Sequence, residues 1–172
     1  MDESFLKLKG RKVLEKNSRK YFGRLSDILV NKDTNNIIGI VSKNDSLIYR
    51  HRFFTAENIC GCEELNIIVS GFGEKFVKVV PVFADYKSCG NDIFKRKAVF
   101  SDGTEIGKIQ DINFDMETGN ISGLEIGTSI IQDLLSGRMI CPNMQRIHYF
   151  QDKIVLDNVF KNLTGNFYEV KK

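Results

Sequence analysis

Carboxylates in two similar segments are the first candidates for chemistry in this 172-residue chain. Asp111, Asp115 and Glu117 lie in one segment, and Asp27 and Asp33 lie in the other. Closely spaced carboxylates can act in acid–base catalysis or bind a hard cation. A structural role fits better, because the expected positions are hairpin turns and β-bulges, where a carboxylate accepts hydrogen bonds from backbone amides. We therefore expect no catalytic residue and no enzyme activity.

Cysteine and histidine form a second candidate group, because thiolates and imidazoles are the usual ligands of zinc. Cys60 and Cys62 are separated by one residue, a shorter spacing than that of a zinc knuckle. The remaining members, which lie elsewhere in the chain, are Cys89, Cys141, His51 and His148. We expect no export signal and therefore four reduced thiols. The sequence predicts no metal and no cofactor, and it leaves open whether Cys60 and Cys62 have a redox or metal role.

Positive charge is concentrated near the start of the chain. Residues 1–60 contain twelve Lys or Arg and seven Asp or Glu, whereas the remainder contains thirteen and fifteen. Basic residues beside aromatic residues can bind RNA through phosphate contacts and base stacking. Outward lysines on a strand can instead protect a sheet edge. The candidate RNA surface comprises Lys7, Lys9, Arg11, Lys12, Arg50 and Arg52.

Residues 128–138, which contain an apolar group, are with the neighbouring strands the candidate partner surface. Residues 128–137 start with Thr and Ser and end with Gly, a pattern typical of one or two helical turns. The apolar side chains could cover a barrel end, fill the seam between two units, or form an exposed patch for a partner or a second copy. The candidate residues are Ile130, Ile131, Leu134, Leu135 and Arg138.

The elements that must position these residues occur twice. Residues 107–124 repeat residues 23–40 at a spacing of 84, with seven identical positions. Each copy predicts a β-hairpin, and a one-residue slip in its apolar alternation predicts a β-bulge at residues 26–27 and 110–111. Gly119 and Asn35 suit the left-handed position of the turn. The residues assigned to turns and bulges are Gly23, Asp27, Gly39, Gly107, Asp111, Asp115, Gly119 and Gly123.

Short strands, close turns and almost no helical period predict an all-β protein of two small tandem barrels, with at most one or two short helical turns. Residues 1–72 form the first unit, 73–92 a linker with room for an edge strand at 76–83, 93–159 the second unit and 160–172 a tail. Residues 5–14 and 93–100 are the expected opening strands. The chain has 42% hydrophobic residues and a net charge of +3, and no apolar run of about 18 residues. We expect a cytoplasmic protein without membrane insertion.

Residues 107–119, GKIQDINFDMETG, resemble the signature of the PRC-barrel domain, and residues 133–138, DLLSGR, with Pro142 resemble its later part. The resemblance covers residues 93–158, and residues 5–70 less closely. It implies a docking domain, as in photosynthetic reaction centres, a ribosome-maturation factor and small bacterial and archaeal proteins, some linked to sporulation. We expect a non-enzymatic adaptor that binds an unidentified protein partner or forms a homodimer. Association with RNA or the ribosome through the basic face is the alternative.

Overall fold

The computed structural model describes residues 2–44, 51–75, 86–127, 139–142, 147–150 and 152–158. The first half of the chain contains β1 (Asp2–Ser4), α1 (Phe5–Leu8), β2 (Lys12–Glu15), β3 (Tyr21–Asn31), β4 (Ile37–Lys43), β5 (His51–Thr55), a 3-10 turn (Ala56–Asn58), β6 (Ile59–Glu63), β7 (Asn66–Val69) and β8 (Glu74–Lys75). The second half contains β9 (Tyr86–Ser88), a π-helical turn (Cys89–Ile93), β10 (Lys97–Phe100), β11 (Glu105–Asp115), β12 (Ile121–Gly127), β13 (Met139–Pro142), β14 (Ile147–Tyr149) and β15 (Lys153–Leu156).

The described strands form two sheets of the same topology. The first sheet has the order β6-β7-β2-β3-β4-β5-β8, and the second has the order β14-β15-β10-β11-β12-β13. In each sheet the opening strand pairs in parallel with the closing strand, as β2 does with β7 and β10 with β15. The all-β prediction is therefore confirmed, and the sequence repeat corresponds to a repeated sheet.

The sequence predicted two small barrels, and within the described residues each of them is an open sheet. A physical reason is that the two sheets share one hydrophobic core. Val13, Leu25 and Phe54 of the first sheet belong to the same buried cluster as Ile109 and Leu124 of the second. Each sheet can cover the apolar face of the other, so neither needs to enclose a core alone.

The segment that precedes each sheet pairs with the opposite sheet. The first arm, defined as β1 and α1, runs antiparallel to β11, with Ser4 opposite Asn113. The second arm, defined as β9 and the π-helical turn, runs antiparallel to β3, with Ser88 opposite Leu29. The arms are thus exchanged reciprocally within one chain. The predicted boundaries at 72–73 and 92–93 remain predictions.

The expected opening strands are shorter than predicted. The prediction that residues 5–14 form one strand is wrong, because Phe5–Leu8 is helical and the strand begins at Lys12. The local reason is a serine N-cap, since the Ser4 side chain accepts a hydrogen bond from the amide of Lys7. Ser88 caps the π-helical turn in the same way through the amide of Asn91. The strand expected at 93–100 likewise begins only at Lys97.

The hairpin tips of the two repeats also meet. Asn36 and Asn120 form a bridge between the sheets, and the amide of Ile37 donates to the carbonyl of Gly119 at 2.8 Å. Gly119 has a φ of +70° and Asn35 a φ of +55°, the conformation that the sequence assigned to these turn positions. Among the described residues, the two arms and this tip contact therefore join the sheets in addition to the shared core.

Three predicted features lie outside the described residues: the edge strand at 76–83, the helical turns within 128–137 and the tail at 160–172. No helix among the described residues has the length and apolar character needed to cross a membrane.

Candidate interaction surfaces

Asp111 fixes the first arm onto the second sheet. Its side chain is only 2% exposed, and it accepts hydrogen bonds from the hydroxyl of Ser4 and from the amide of Leu6 at 3.1 Å. It also accepts from the amide of Ile112 at 2.8 Å, at the point where the β11–β12 register shifts. The buried carboxylate therefore satisfies donors from two elements that are distant in sequence.

Asp27 makes the equivalent contacts to the second arm. It accepts hydrogen bonds from the Ser88 hydroxyl, from the amide of Gly90 at 3.0 Å and from the amide of Ile28 at 2.9 Å. The β3–β4 register shifts at this position too. The bulges expected from the sequence thus coincide with the two attachment points of the arms.

Burial raises the pKa of the Asp111 carboxyl, although the hydrogen bonds from Ser4, Ile112 and Leu6 partly oppose this effect. Asp27 and Asp111 bind different arms. Among the described residues, no group of three or more His, Cys, Asp or Glu side chains could hold a metal ion. Asp33 and Glu117 are exposed, and Asp115 accepts hydrogen bonds from amides of its own turn. The arrangement of these carboxylates stabilises backbone contacts.

All four cysteines lie within the described residues, and none forms a disulfide. Cys60 is exposed on β6, Cys62 is partly buried, and Gly61 between them has a φ of +118°. Burial raises the pKa of Cys62, and it raises the pKa of Cys141 to about 12. Burial also raises the pKa of Cys89 in the second arm, and nearby carboxylates add to this shift. The three shifted thiols therefore remain protonated at neutral pH.

The predicted RNA surface is divided by the fold. Lys7 and Lys9 are exposed on or beside the first arm, and Arg11 donates to the carbonyl of Lys7 at 3.1 Å. Arg52 lies on β5 in the first sheet, and Arg50 lies outside the described residues. The structure therefore places Arg52 beside Lys20, since both cations lie over the Phe22 ring, and not on the first arm with Lys7.

Lys12 instead belongs to a row that the sequence analysis did not identify. Lys12 is the register partner of Arg24, and Arg24 is the register partner of Lys43, so three cations lie side by side across β2, β3 and β4. All three are exposed. We call Lys12, Arg24 and Lys43 the basic row. The missing information was strand register, because the three residues are 12 and 19 positions apart.

An aromatic group with two cations packs against Phe22, a residue of the shared core. Phe72 is 63% exposed, and its ring packs against the edge of Phe22 with centroids 6.1 Å apart. Lys20 Nζ is 5.4 Å from the centroid of Phe72, and Arg52 donates to the Phe72 carbonyl at 2.8 Å. We call Phe72, Lys20 and Arg52 the Phe72 platform. Residue 72 was assigned to the first unit but was not among the predicted site residues.

The second sheet has an exposed apolar residue on its edge strand. Ile140 on β13 is 40% exposed and is the register partner of Glu125 on β12. Glu125 accepts a hydrogen bond from the Asn113 side chain at 3.3 Å. In the first sheet the corresponding pair, Val41 and Phe53, is buried. The five predicted partner-surface residues, Ile130, Ile131, Leu134, Leu135 and Arg138, lie outside the described residues.

The comparison with protein families concerns the second sheet and its arm. Residues 90–163 match the PRC-barrel domain. This PRC-barrel domain includes the π-helical turn except Cys89, and β10 to β15, and it contains the repeat copy that holds Asp111. The match does not extend to the first sheet. The family comparison therefore supports the second predicted unit and does not support the first. No curated protein matches the chain.

Proposed function

We propose that the protein is a non-enzymatic adaptor that docks a protein partner on the outer side of its PRC-barrel domain. Ile140 on β13 is the observation that carries this proposal. It is an exposed apolar side chain beside the polar pair Asn113 and Glu125, and an apolar contact with a polar surround is typical of interaction sites. Residues 128–138, the candidate partner surface, lead directly into the same strand.

Strand pairing gives a second reason to place the partner at β13. Among the described strands, β13 pairs only with β12, so its other edge presents backbone donors and acceptors that a partner strand could use. The adaptor role requires only a rigid scaffold and an accessible edge. The exchanged arms provide the rigidity, because each arm precedes one sheet in the chain and pairs with the other sheet.

Site-specific photo-crosslinking tests this proposal in cells of the native organism. A photoreactive residue in place of Ile140 should give a discrete crosslinked protein product. The matched control replaces Leu65, which is 71% exposed in the turn between β6 and β7 and should give no such product. A product containing a second copy of the chain would identify a homodimer as the docked state. Equal, nonspecific crosslinking from both positions would contradict the proposal.

Association with RNA or the ribosome through the first sheet is a second candidate function. The basic row favours it, because a row of exposed like charges suits a polyanionic partner. Cosedimentation with ribosomes or bulk RNA at low salt, which decreases as salt is added, would support this candidate. No cosedimentation at low salt would exclude it.

A further inference from the structure

Each of the two sheets carries a row of three cations. The basic row of the first sheet crosses β2, β3 and β4. In the second sheet, Lys97 on β10 is the register partner of Lys153 on β15 and of Lys108 on β11. We call Lys153, Lys97 and Lys108 the second row. Both rows include the opening strand and the long strand that follows it, so the arrangement recurs within the repeated topology.

Both rows face away from the shared core. Successive side chains of a strand point to opposite faces of the sheet. The row residues on β2, β3, β10, β11 and β15 are each followed in sequence by a residue of the shared core, namely Val13, Leu25, Ala98, Ile109 and Ile154. On β4, Lys43 follows Ser42, whose buried hydroxyl donates to the carbonyl of Phe22 at 2.9 Å. The rows therefore lie on two separate faces, one on each side of the core.

The rows are unfavourable for folding. Like charges that lie opposite each other on neighbouring strands destabilise a sheet, and each row contains two such pairs. Within the part of the chain that the structure describes, Lys97 is the only row residue in an ion pair, with Glu105 at 3.2 Å. The side chains of this pair are 57% and 55% exposed, so water screens their attraction. A costly arrangement that occurs twice indicates that the rows bind a negatively charged partner.

The dimensions of a row suit the phosphates of a nucleic-acid duplex. At the usual strand spacing a row of three residues extends about 10 Å, and phosphates recur about every 3.4 Å along each strand of a duplex. One row can therefore neutralise about three successive phosphates. A duplex holds its phosphates in a fixed line, as the sheet holds its cations. Contacts made to phosphates alone carry no sequence information, so binding at the rows is independent of sequence.

We propose that each row binds a nucleic-acid duplex, so that one molecule bridges two duplex segments. This proposal rests on the second candidate function and extends it, because association through the first sheet alone would use a single face. The second row lies on β15, β10 and β11 and does not include β13, where Ile140 is exposed. The edge assigned to the protein partner is therefore separate from the second row.

A bead assay with the full-length protein tests the bridge. A biotinylated RNA duplex is immobilised, and the protein is added with a second, fluorescent duplex at about 10 mM salt. The protein should retain the fluorescent duplex on the beads. Three cations predict a slope of log K against log salt of about −2.7 for each face, so a tenfold rise in salt should weaken each contact about 500-fold and release the label. Equal bridging of DNA duplexes identifies the shared phosphate chemistry, whereas a preference for RNA adds recognition of the ribose.

Two double variants disable one row each. Lys12→Gln with Lys43→Gln leaves one cation in the basic row, and Lys108→Gln with Lys153→Gln leaves one in the second row. Each variant should still bind a duplex in solution, measured by fluorescence anisotropy, but should lose the bridge. Each should also have a raised unfolding midpoint at low salt, because it removes both like-charge pairs of its row. This rise distinguishes a lost bridge from misfolding.

The matched control removes the same amount of charge elsewhere. Lys7 and Lys16 are exposed and belong to neither row. Lys7→Gln with Lys16→Gln therefore has the same net charge as each row variant. It should bridge duplexes like the wild type.

Four results would overturn the proposal. Wild-type bridging by either row variant would reject the two-face arrangement, and an equal loss in the control would show that only the total charge matters. Equal bridging of single strands or of phosphatidylserine vesicles would show nonspecific cationic faces. A wild type that binds a duplex without bridging would reject the second row and leave the second candidate function intact. Failure to bind any duplex at low salt, together with failure to cosediment with ribosomes, would reject both.

Discussion

Replacing Asp111 with alanine should release the first arm from the second sheet. The substitution removes hydrogen bonds from the Ser4 hydroxyl and from the amides of Leu6 and Ile112. A buried donor left without an acceptor costs about 1–3 kcal/mol. Leu6 is 44% exposed, so water can replace part of its bond, but Asp111 itself is 2% exposed. We expect a loss of about 2–5 kcal/mol in the free energy of unfolding.

Urea unfolding followed by circular dichroism measures this loss. With a slope of about 2 kcal/mol/M, the midpoint should fall by about 1–2.5 M. Asp27→Ala should cost less, about 1–2 kcal/mol, because Asp27 is partly exposed and water can reach its donors. Asp33→Ala is the matched control at an exposed turn and should change stability by less than about 0.5 kcal/mol. The reasoning fails if Asp111→Ala unfolds at the same midpoint as Asp33→Ala.

Three further predictions concern the same scaffold. Burial raises the folded-state pKa of Asp111 above 3.8, so the native state binds this proton more tightly than the unfolded state. The stability of the wild type relative to Asp111→Asn should therefore fall as pH rises from about 3.8 through the raised pKa. Denaturation at several pH values measures this dependence, and the opposite slope would refute it. Gly23→Ala should lower the free energy of unfolding by more than about 2 kcal/mol, because its Cβ would lie 2.4 Å from a backbone oxygen of the neighbouring strand. Gly61→Ala, which also has positive φ but no atom within 4 Å of the added Cβ, should lower it by about 1 kcal/mol. Equal unfolding midpoints would contradict the steric argument. In the native protein a thiol reagent should modify Cys60 rapidly and Cys89 only on unfolding, as mass spectrometry would reveal; rapid labelling of Cys89 would show that the second arm opens.

The sequence predicted what local patterns determine. Alternation and turn residues were sufficient for the two hairpins, and the slip in phase located both bulges, because side-chain periodicity follows directly from strand geometry. The short apolar stretch around Phe5 could not be assigned in the same way. Four residues cannot distinguish a strand from a helical turn by periodicity, and the deciding signal was the serine N-cap at Ser4.

The exchange of the arms could not be predicted, because it depends on contacts between residues 61 to 107 positions apart. Ser4 and Asp111 give no local sign that they meet. The basic row was missed for the same reason, since it depends on the register of β2, β3 and β4. The sequence located the excess of positive charge but assigned Arg52 to the same surface as Lys12. Strand register instead groups Lys12 with Arg24 and Lys43.

Native-state hydrogen exchange tests most directly whether the exchanged arms join the two sheets into one cooperative body. The amides of Leu6 and Gly90, which donate to Asp111 and Asp27, report on the first and second arm. If the arms are integral to the fold, both amides should exchange with the opening free energy of the strand amides of β3 and β11. Exchange of Leu6 and Gly90 at a much lower free energy, with the strands still protected, would show that the arms open independently and that the sheets hold together without them.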